Sequence, residues 1–145
     1  MSDLKASVLI VEDEEFLRTS LVQILTVVGH RVRCASDGLA GLIEMRQEVP
    51  EILLSDLSMP GMSGFELLSV VRRRFPAIRV IAMSGAFSGT LVPYGVTADA
   101  FYEKGRSVAV LLKAIESLPF ITRQCGEAPE VIFSYPLTPR QESRP

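Results

Sequence analysis

Four short apolar runs in this chain each end at a charged or hydroxyl-bearing residue. Ala6-Ser7-Val8-Leu9-Ile10-Val11 runs into Glu12-Asp13, Ile52-Leu53-Leu54-Ser55 into Asp56, and Val80-Ile81-Ala82-Met83 into Ser84-Gly85; Ala100-Phe101-Tyr102 leads through Glu103 to Lys104. Helical patterns separate them, and short apolar runs alternating with helices read as strands of a parallel sheet. The Ile52 run is apolar throughout, as expected at the centre of a sheet covered on both faces. In such a sheet the C-terminal strand ends share one edge, which is where open α/β sheets bind ligands. The sequence therefore predicts an α/β fold that brings Glu12, Asp13, Asp56, Ser84 and Lys104 into one cleft.

The helices between the strands have readable ends. Glu14 and Glu15 open the first, where carboxylates favour the positive N-terminal dipole. Leu17, Leu21, Ile24, Leu25 and Val28 follow at helical spacing, and Gly29 is a good stop. His30 to Ala35 reads as a second, short strand. Asp37-Gly38 starts another helix, with Leu39, Leu42 and Ile43 expected on its core face. Ser63-Gly64-Phe65-Glu66 has the form of a capping box, and Leu67, Leu68 and Val71 carry that helix to Pro76. The stretch from Ala86 to Ala98 is weak, because Gly89, Pro93 and Gly95 interrupt it. Val108, Leu111, Leu112 and Ile115 mark a last helix, with Ser107 as its candidate cap.

The chain has 145 residues and a net charge of −2. That length suits one domain with a sizeable core, and the mild charge gives no general attraction to nucleic acid. Arg72-Arg73-Arg74 reads as a solvated helix face, and His30 as a surface residue. Cys34 and Cys125 match no metal or redox spacing. No secretory signal precedes the first strand and no apolar run is long enough to span a membrane, so the expected location is cytoplasmic. Residues 1–118 are expected to form the domain. Residues 119–145 form a proline-containing tail, whose apolar Val131 to Tyr135 stretch suits packing on its own domain, packing on a second copy in a homodimer, or a disordered linker remnant.

Three carboxylates crowded together repel unless a cation joins them. Mg²⁺ meets that need with hard oxygen ligands and retained waters. Asp56 stands alone at the end of the central run, where a carboxylate can attack phosphorus and form an acyl phosphate. Such transfer needs charge neutralisation on the phosphoryl oxygens, which a metal, the Lys104 ammonium and the Ser84 hydroxyl would supply. Taken singly, each residue has a plainer reading: Asp56 as a loop residue, Glu12-Asp13 as a helix cap, Ser84-Gly85 as a turn, Lys104 as a solvated lysine. Their joint occurrence on successive strand ends argues against those readings.

Asp56-Leu57-Ser58-Met59-Pro60-Gly61-Met62-Ser63-Gly64 resembles the phosphoacceptor loop of response-regulator receiver domains. Val8-Leu9-Ile10-Val11-Glu12-Asp13-Glu14 resembles that family's first strand and acidic pair, and Ala35-Ser36-Asp37-Gly38 the start of its second helix. Ser84, Lys104 and Phe101 fall on its hydroxyl, lysine and switch-aromatic positions. The resemblance covers about residues 6–118. It implies a flavodoxin-like, doubly wound sheet in the order 2-1-3-4-5. It further implies that Asp56 accepts a phosphoryl group from a histidine kinase or phosphotransfer protein. By the same resemblance Glu12, Asp13, Asp56 and the Ser58 carbonyl hold Mg²⁺, Lys104 pairs with the phosphoryl oxygens, and Ser84 and Phe101 report the change. A downstream protein would read it, with no enzymatic output and no direct contact with nucleic acid.

Two features depart from that pattern. The family's lysine usually precedes a cis proline, whereas Lys104 precedes Gly105, so the loop that aims Lys104 is expected to differ. The region around Pro93 is short for the family's fourth helix, which weakens the expected signalling face there. These departures support a rival, a receiver-like interaction module that is never phosphorylated. A Mg²⁺-dependent phosphohydrolase with an aspartyl nucleophile is a second rival, but Ser58 stands where its general acid belongs. A flavin binder is a third, disfavoured because Glu12 to Glu15 would repel a phosphate.

Overall fold

Each apolar run forms a strand in the computed structural model, which describes residues 5–85 and 98–118. The strands are β1 (Ser7–Val11), β2 (Arg31–Ala35), β3 (Ile52–Asp56), β4 (Arg79–Ser84) and β5 (Ala100–Glu103). All neighbouring pairs are parallel, and the order is β2-β1-β3-β4-β5, as predicted. The helices are α1 (Glu15–Val28), α2 (Gly38–Gln47), α3 (Gly64–Arg74) and α4 (Val108–Ser117).

Alternation along the strands builds two core layers, because successive strand side chains point to opposite faces. Leu9, Val11, Leu53, Val80 and Ala82 face one layer, with Met45 of α2 and Leu67, Leu68 and Val71 of α3. Val8, Ile10, Ile52, Leu54, Ile81 and Met83 face the other, with Leu21 and Leu25 of α1 and Leu111 and Ile115 of α4. Strand β3 is buried along its whole length, in keeping with its central place.

The helix ends follow the sequence signals closely. Gly29 closes α1 with a left-handed φ of 118° and donates to the Leu25 and Thr26 carbonyls. The Asp37 carboxylate caps α2 by accepting from the Ala40 N–H at 2.8 Å. The predicted capping box is complete at α3, where Ser63 Oγ accepts from the Glu66 N–H and Glu66 Oε1 from the Ser63 N–H. Ser107 holds the N-cap place of α4, but its side chain makes no capping hydrogen bond.

Three expectations need correction. Leu39 and Ile43 are exposed, 62% and 49%, and the sheet side of α2 is instead lined by Gly38, Gly41 and Met45, with Leu42 partly buried. The helix lies so close to β1 that a Cβ at Gly41 would come within 2.8 Å of Val11 Cγ2. His30 is buried rather than on the surface. In the arginine run, Arg73 and Arg74 are exposed but Arg72 is half-buried; it donates to Asp99 Oδ2 at 2.9 Å and to the Ile78 carbonyl at 3.3 Å, tying α3 to the start of β5. The Pro93 region, Cys125 and the tail lie outside the described residues.

A Cβ at Gly64 would sit 2.2 Å from the Asp56 carbonyl oxygen and 2.5 Å from Leu57 Cα. These are backbone atoms that no rotamer change can move. Gly64→Ala should therefore destabilise the chain by about 3 kcal/mol or more, read as a lowered urea midpoint. His30 Nδ1 is buried without a hydrogen-bond partner, and burial, aided by the Lys5 charge and opposed by Glu116, holds its pKa below the ordinary 6.5. The unfolded chain thus takes the proton more readily, so this residue's contribution should reduce stability as pH falls through 6.5 towards the lower folded value. His30→Gln should flatten the loss in denaturation curves collected across that window.

Candidate functional site at the sheet edge

Parallel register sets the site. Val11 pairs with Ser55, Asp56 with Met83 and Ser84 with Glu103, so the ends of β1, β3, β4 and β5 reach the same edge together. Glu12 follows β1, held by its N–H to the Ala35 carbonyl at 3.1 Å. Asp56 is the last residue of β3 and Ser84 the last of β4. Lys104 follows β5, its N–H donating to the Ser84 carbonyl at 3.0 Å.

Side chains meet across these ends. Lys104 Nζ lies 3.0 Å from Asp56 Oδ2 and 3.2 Å from Glu12 Oε1. Asp56 Oδ1 accepts from the Ser58 N–H at 3.1 Å, so Ser58 enters through its backbone. Glu12 Oε2 accepts from the Glu14 N–H at 3.1 Å. Glu12, Asp56 and Ser84 are buried, whereas Asp13 is exposed. Ligand oxygens of Glu12, Asp13 and Asp56 lie within 4.8 Å of one another. Phe101, paired with Ala82, is half-buried against the layer that contains Leu57 and Met59.

Three carboxylates face one ammonium in this cluster. Burial raises the Glu12 pKa above its ordinary value, and the Asp56 charge adds to the effect; the Glu14 N–H and Lys104 oppose it. Burial acts to lower the Lys104 pKa, but its hydrogen bond to Asp56 and the two carboxylate charges outweigh that and raise it. The ammonium therefore stays charged through neutral pH.

The donor set suits a hard divalent cation. Glu12 Oε1 is buried with no well-aligned hydrogen bond; the Lys104 ammonium, 3.2 Å away, is shared with Asp56, and a buried carboxylate oxygen so thinly partnered favours a further cation. Glu12 belongs to the same close group as the exposed Asp13 carboxylate. Hard oxygen ligands with room for water are what Mg²⁺ prefers.

The departure at Gly105 does not misdirect Lys104. Gly105 turns the chain with a φ of 94°, and no peptide bond among the described residues is cis. One supporting residue escaped the sequence reading: Arg18, on the first turns of α1, donates to the Glu12 carbonyl at 2.9 Å and braces the acidic pair. Its spacing from Glu12 matches no simple motif, so only the fold reveals it. Gly64 was visible as part of the loop, but its contact with the Asp56 carbonyl was not.

Known proteins are similar to this chain in sequence and fold. The family model described as "Response regulator receiver domain" matches residues 8–116. The chain is 35% identical over 114 residues to the sensory transduction protein RegX3 of Mycobacterium tuberculosis, covering 77% of this chain and 50% of that one. It is 32% identical over 112 residues to the transcriptional activator protein ExaE of Pseudomonas putida, covering 74% and 52%. It thus spans about half the length of these curated relatives, and 30% and 17% of two others. Among solved structures, the chemotaxis protein CheY4 of Vibrio cholerae aligns with a TM-score of 0.69 at 26% identity, covering 77% of this chain and 96% of that one. A CheY-like receiver domain protein from Methanospirillum hungatei aligns with a TM-score of 0.70 at 29% identity, covering 79% and 92%. With the sheet order, the acidic edge and a family match over most of its length, the chain belongs to the response regulator receiver domain family.

Proposed function

We propose that Asp56 is the residue that accepts the phosphoryl group in this receiver domain. The observation that carries the reading is the convergence of Lys104 on Asp56 at 3.0 Å, with the buried Glu12 Oε1 3.2 Å from the same ammonium. An Asp56 carboxylate oxygen attacks the phosphorus of a phosphohistidine on a kinase or phosphotransfer protein. The new O–P bond forms as the P–N bond breaks, and the leaving imidazole takes up a proton. Glu12, Asp13, Asp56 and the Ser58 main-chain carbonyl would hold Mg²⁺, which neutralises charge on the phosphoryl oxygens when bound.

The chain's own residues divide the remaining work. The Ser58 N–H and the Lys104 ammonium orient the Asp56 carboxylate before transfer, each holding a different oxygen. Afterwards Lys104 and the Ser84 hydroxyl read the phosphoryl group, and Phe101 on the neighbouring strand responds. Phosphorylation replaces the single charge of the Asp56 carboxylate with a phosphoryl group carrying roughly −1.5 to −2 charges at neutral pH and three acceptor oxygens, enough to re-sort the ammonium and hydroxyl contacts around it. A downstream protein then reads the altered surface.

Incubating the chain with Mg²⁺ and acetyl phosphate should produce an acid-labile mass gain at Asp56. Asp56→Asn should abolish it, and so should a chelator added before the phosphodonor. Full labelling of Asp56→Asn would move the acceptor elsewhere, and a wild-type chain that never gains mass would favour the unphosphorylated interaction module. Mg²⁺ should also raise the melting temperature, since a ligand of the folded state alone at a hundred times its Kd adds about 2.7 kcal/mol. Asp13→Asn and Glu12→Gln should each remove most of that rise. An unchanged Mg²⁺ increment in both variants would show that the ion binds at other residues.

A further inference from the structure

Gly105 adopts a left-handed φ of +94°, yet a Cβ built there would meet nothing within 4 Å. Space does not demand glycine at this position; the backbone angle does. Gly105 is the third residue of a turn, Glu103-Lys104-Gly105-Arg106, closed by the Arg106 N–H donating to the Glu103 carbonyl at 3.1 Å. A positive φ at the third position is what a type II turn requires.

Both ends of the turn are fixed. On its near side the Lys104 N–H donates to the Ser84 carbonyl at 3.0 Å. On its far side the Arg106 carbonyl accepts from the hydroxyl of Tyr102 at 2.6 Å, and Tyr102 is itself buried in the core. Lys104 holds the second position, and from there its ammonium spans Asp56 and Glu12. The direction in which the lysine leaves the backbone is therefore set by the residue that follows it.

We propose that Gly105 is a positioning residue for Lys104: its left-handed turn, anchored by Tyr102, aims the ammonium at the acidic edge. Gly105 touches neither carboxylate and acts only through the lysine. The role rests on the reading of Asp56 as phosphoacceptor with Lys104 reading the bound group. A side chain with a Cβ should shift the turn by about tenfold towards other backbone conformations. Asparagine tolerates the left-handed region better than alanine, so it should largely preserve the turn.

The full-length chain provides the test, comparing wild type, Gly105→Ala, Gly105→Asn and Lys104→Ala with Mg²⁺ and acetyl phosphate. Intact mass measures phosphoryl uptake, and the NMR shift of the Phe101 ring measures the response. Gly105→Ala should still gain the acid-labile mass, while its Phe101 response falls towards the floor set by Lys104→Ala. Gly105→Asn should restore most of the wild-type response. An alanine variant that responds as fully as wild type overturns the proposal, as does an asparagine variant no better than alanine. Absence of any mass gain in the wild type overturns the phosphoacceptor reading, and this role falls with it.

Discussion

The Lys104 ammonium, set between Asp56 and Glu12, is the contact on which the rest of the edge depends. It joins the ends of β1, β3 and β5, segments separated by 48 and 92 residues in the chain. Without it, two buried carboxylates would face each other with little to offset their repulsion, and Glu12 is already pushed towards its neutral form by burial. A single cation cannot balance three carboxylates, so the cluster keeps an appetite for more positive charge. On the proposed chemistry, that imbalance leaves a site that a hard divalent ion suits and that a phosphoryl group, itself a dianion, enters with the ion and the ammonium beside it.

The backbone around the cluster is held from several sides. Asp56 ends a strand that is buried throughout. The Leu57 N–H donates to the Met83 carbonyl at 2.9 Å and the Gly64 N–H to the Leu57 carbonyl at 3.1 Å. The first turn of α3 presses on the Asp56 carbonyl so closely that only glycine fits. A carboxylate on so fixed a mount is aimed without a large loss of side-chain freedom when it reacts, which is the benefit of preorganisation. The fixed backbone also restricts where a response can go, since neither β3 nor the start of α3 has room to yield.

Much of this was legible in the sequence, and the parts that were not share a physical cause. Strand positions, the capping box at Ser63 and the gathering of Glu12, Asp13, Asp56, Ser84 and Lys104 follow from local patterning plus the geometry of a parallel sheet. Leu39 and Ile43 were misassigned because hydropathy treats glycine as neutral, whereas Gly38 and Gly41 are the contact face of α2. His30 looked polar, but it follows the closing glycine of α1 and leads directly into β2, and the chain there is covered. Arg72 looked like part of a solvated run, yet its partner Asp99 is 27 residues away in sequence and adjacent only in the fold. Lys104 before Gly105 looked like a weakened site. A glycine turn supplies the needed direction by a route that no lysine-proline pattern describes.

Where a charge added at Asp56 can be felt follows from the sheet order. Among the described residues, strand β5 lies at the edge of the sheet, paired with β4 alone, and at four residues it is the shortest of the five. Asp56 pairs with Met83, Met83 pairs with Tyr102, and Phe101 is the next residue along β5. The path from the acidic edge to Phe101 therefore crosses one interior strand and ends on an edge strand. Lys104 and Ser84 sit at the same strand ends and are joined through the Lys104 N–H and the Ser84 carbonyl, so a pull on the ammonium bears directly on the β4–β5 pairing. Half-buried Phe101 has less packing to lose than the fully buried residues of β3 and β4. A two-state rearrangement is cheapest where packing is least complete and pairing is one-sided. On the proposed chemistry, the centre of the sheet holds the acceptor still while its β5 edge carries the signal outward.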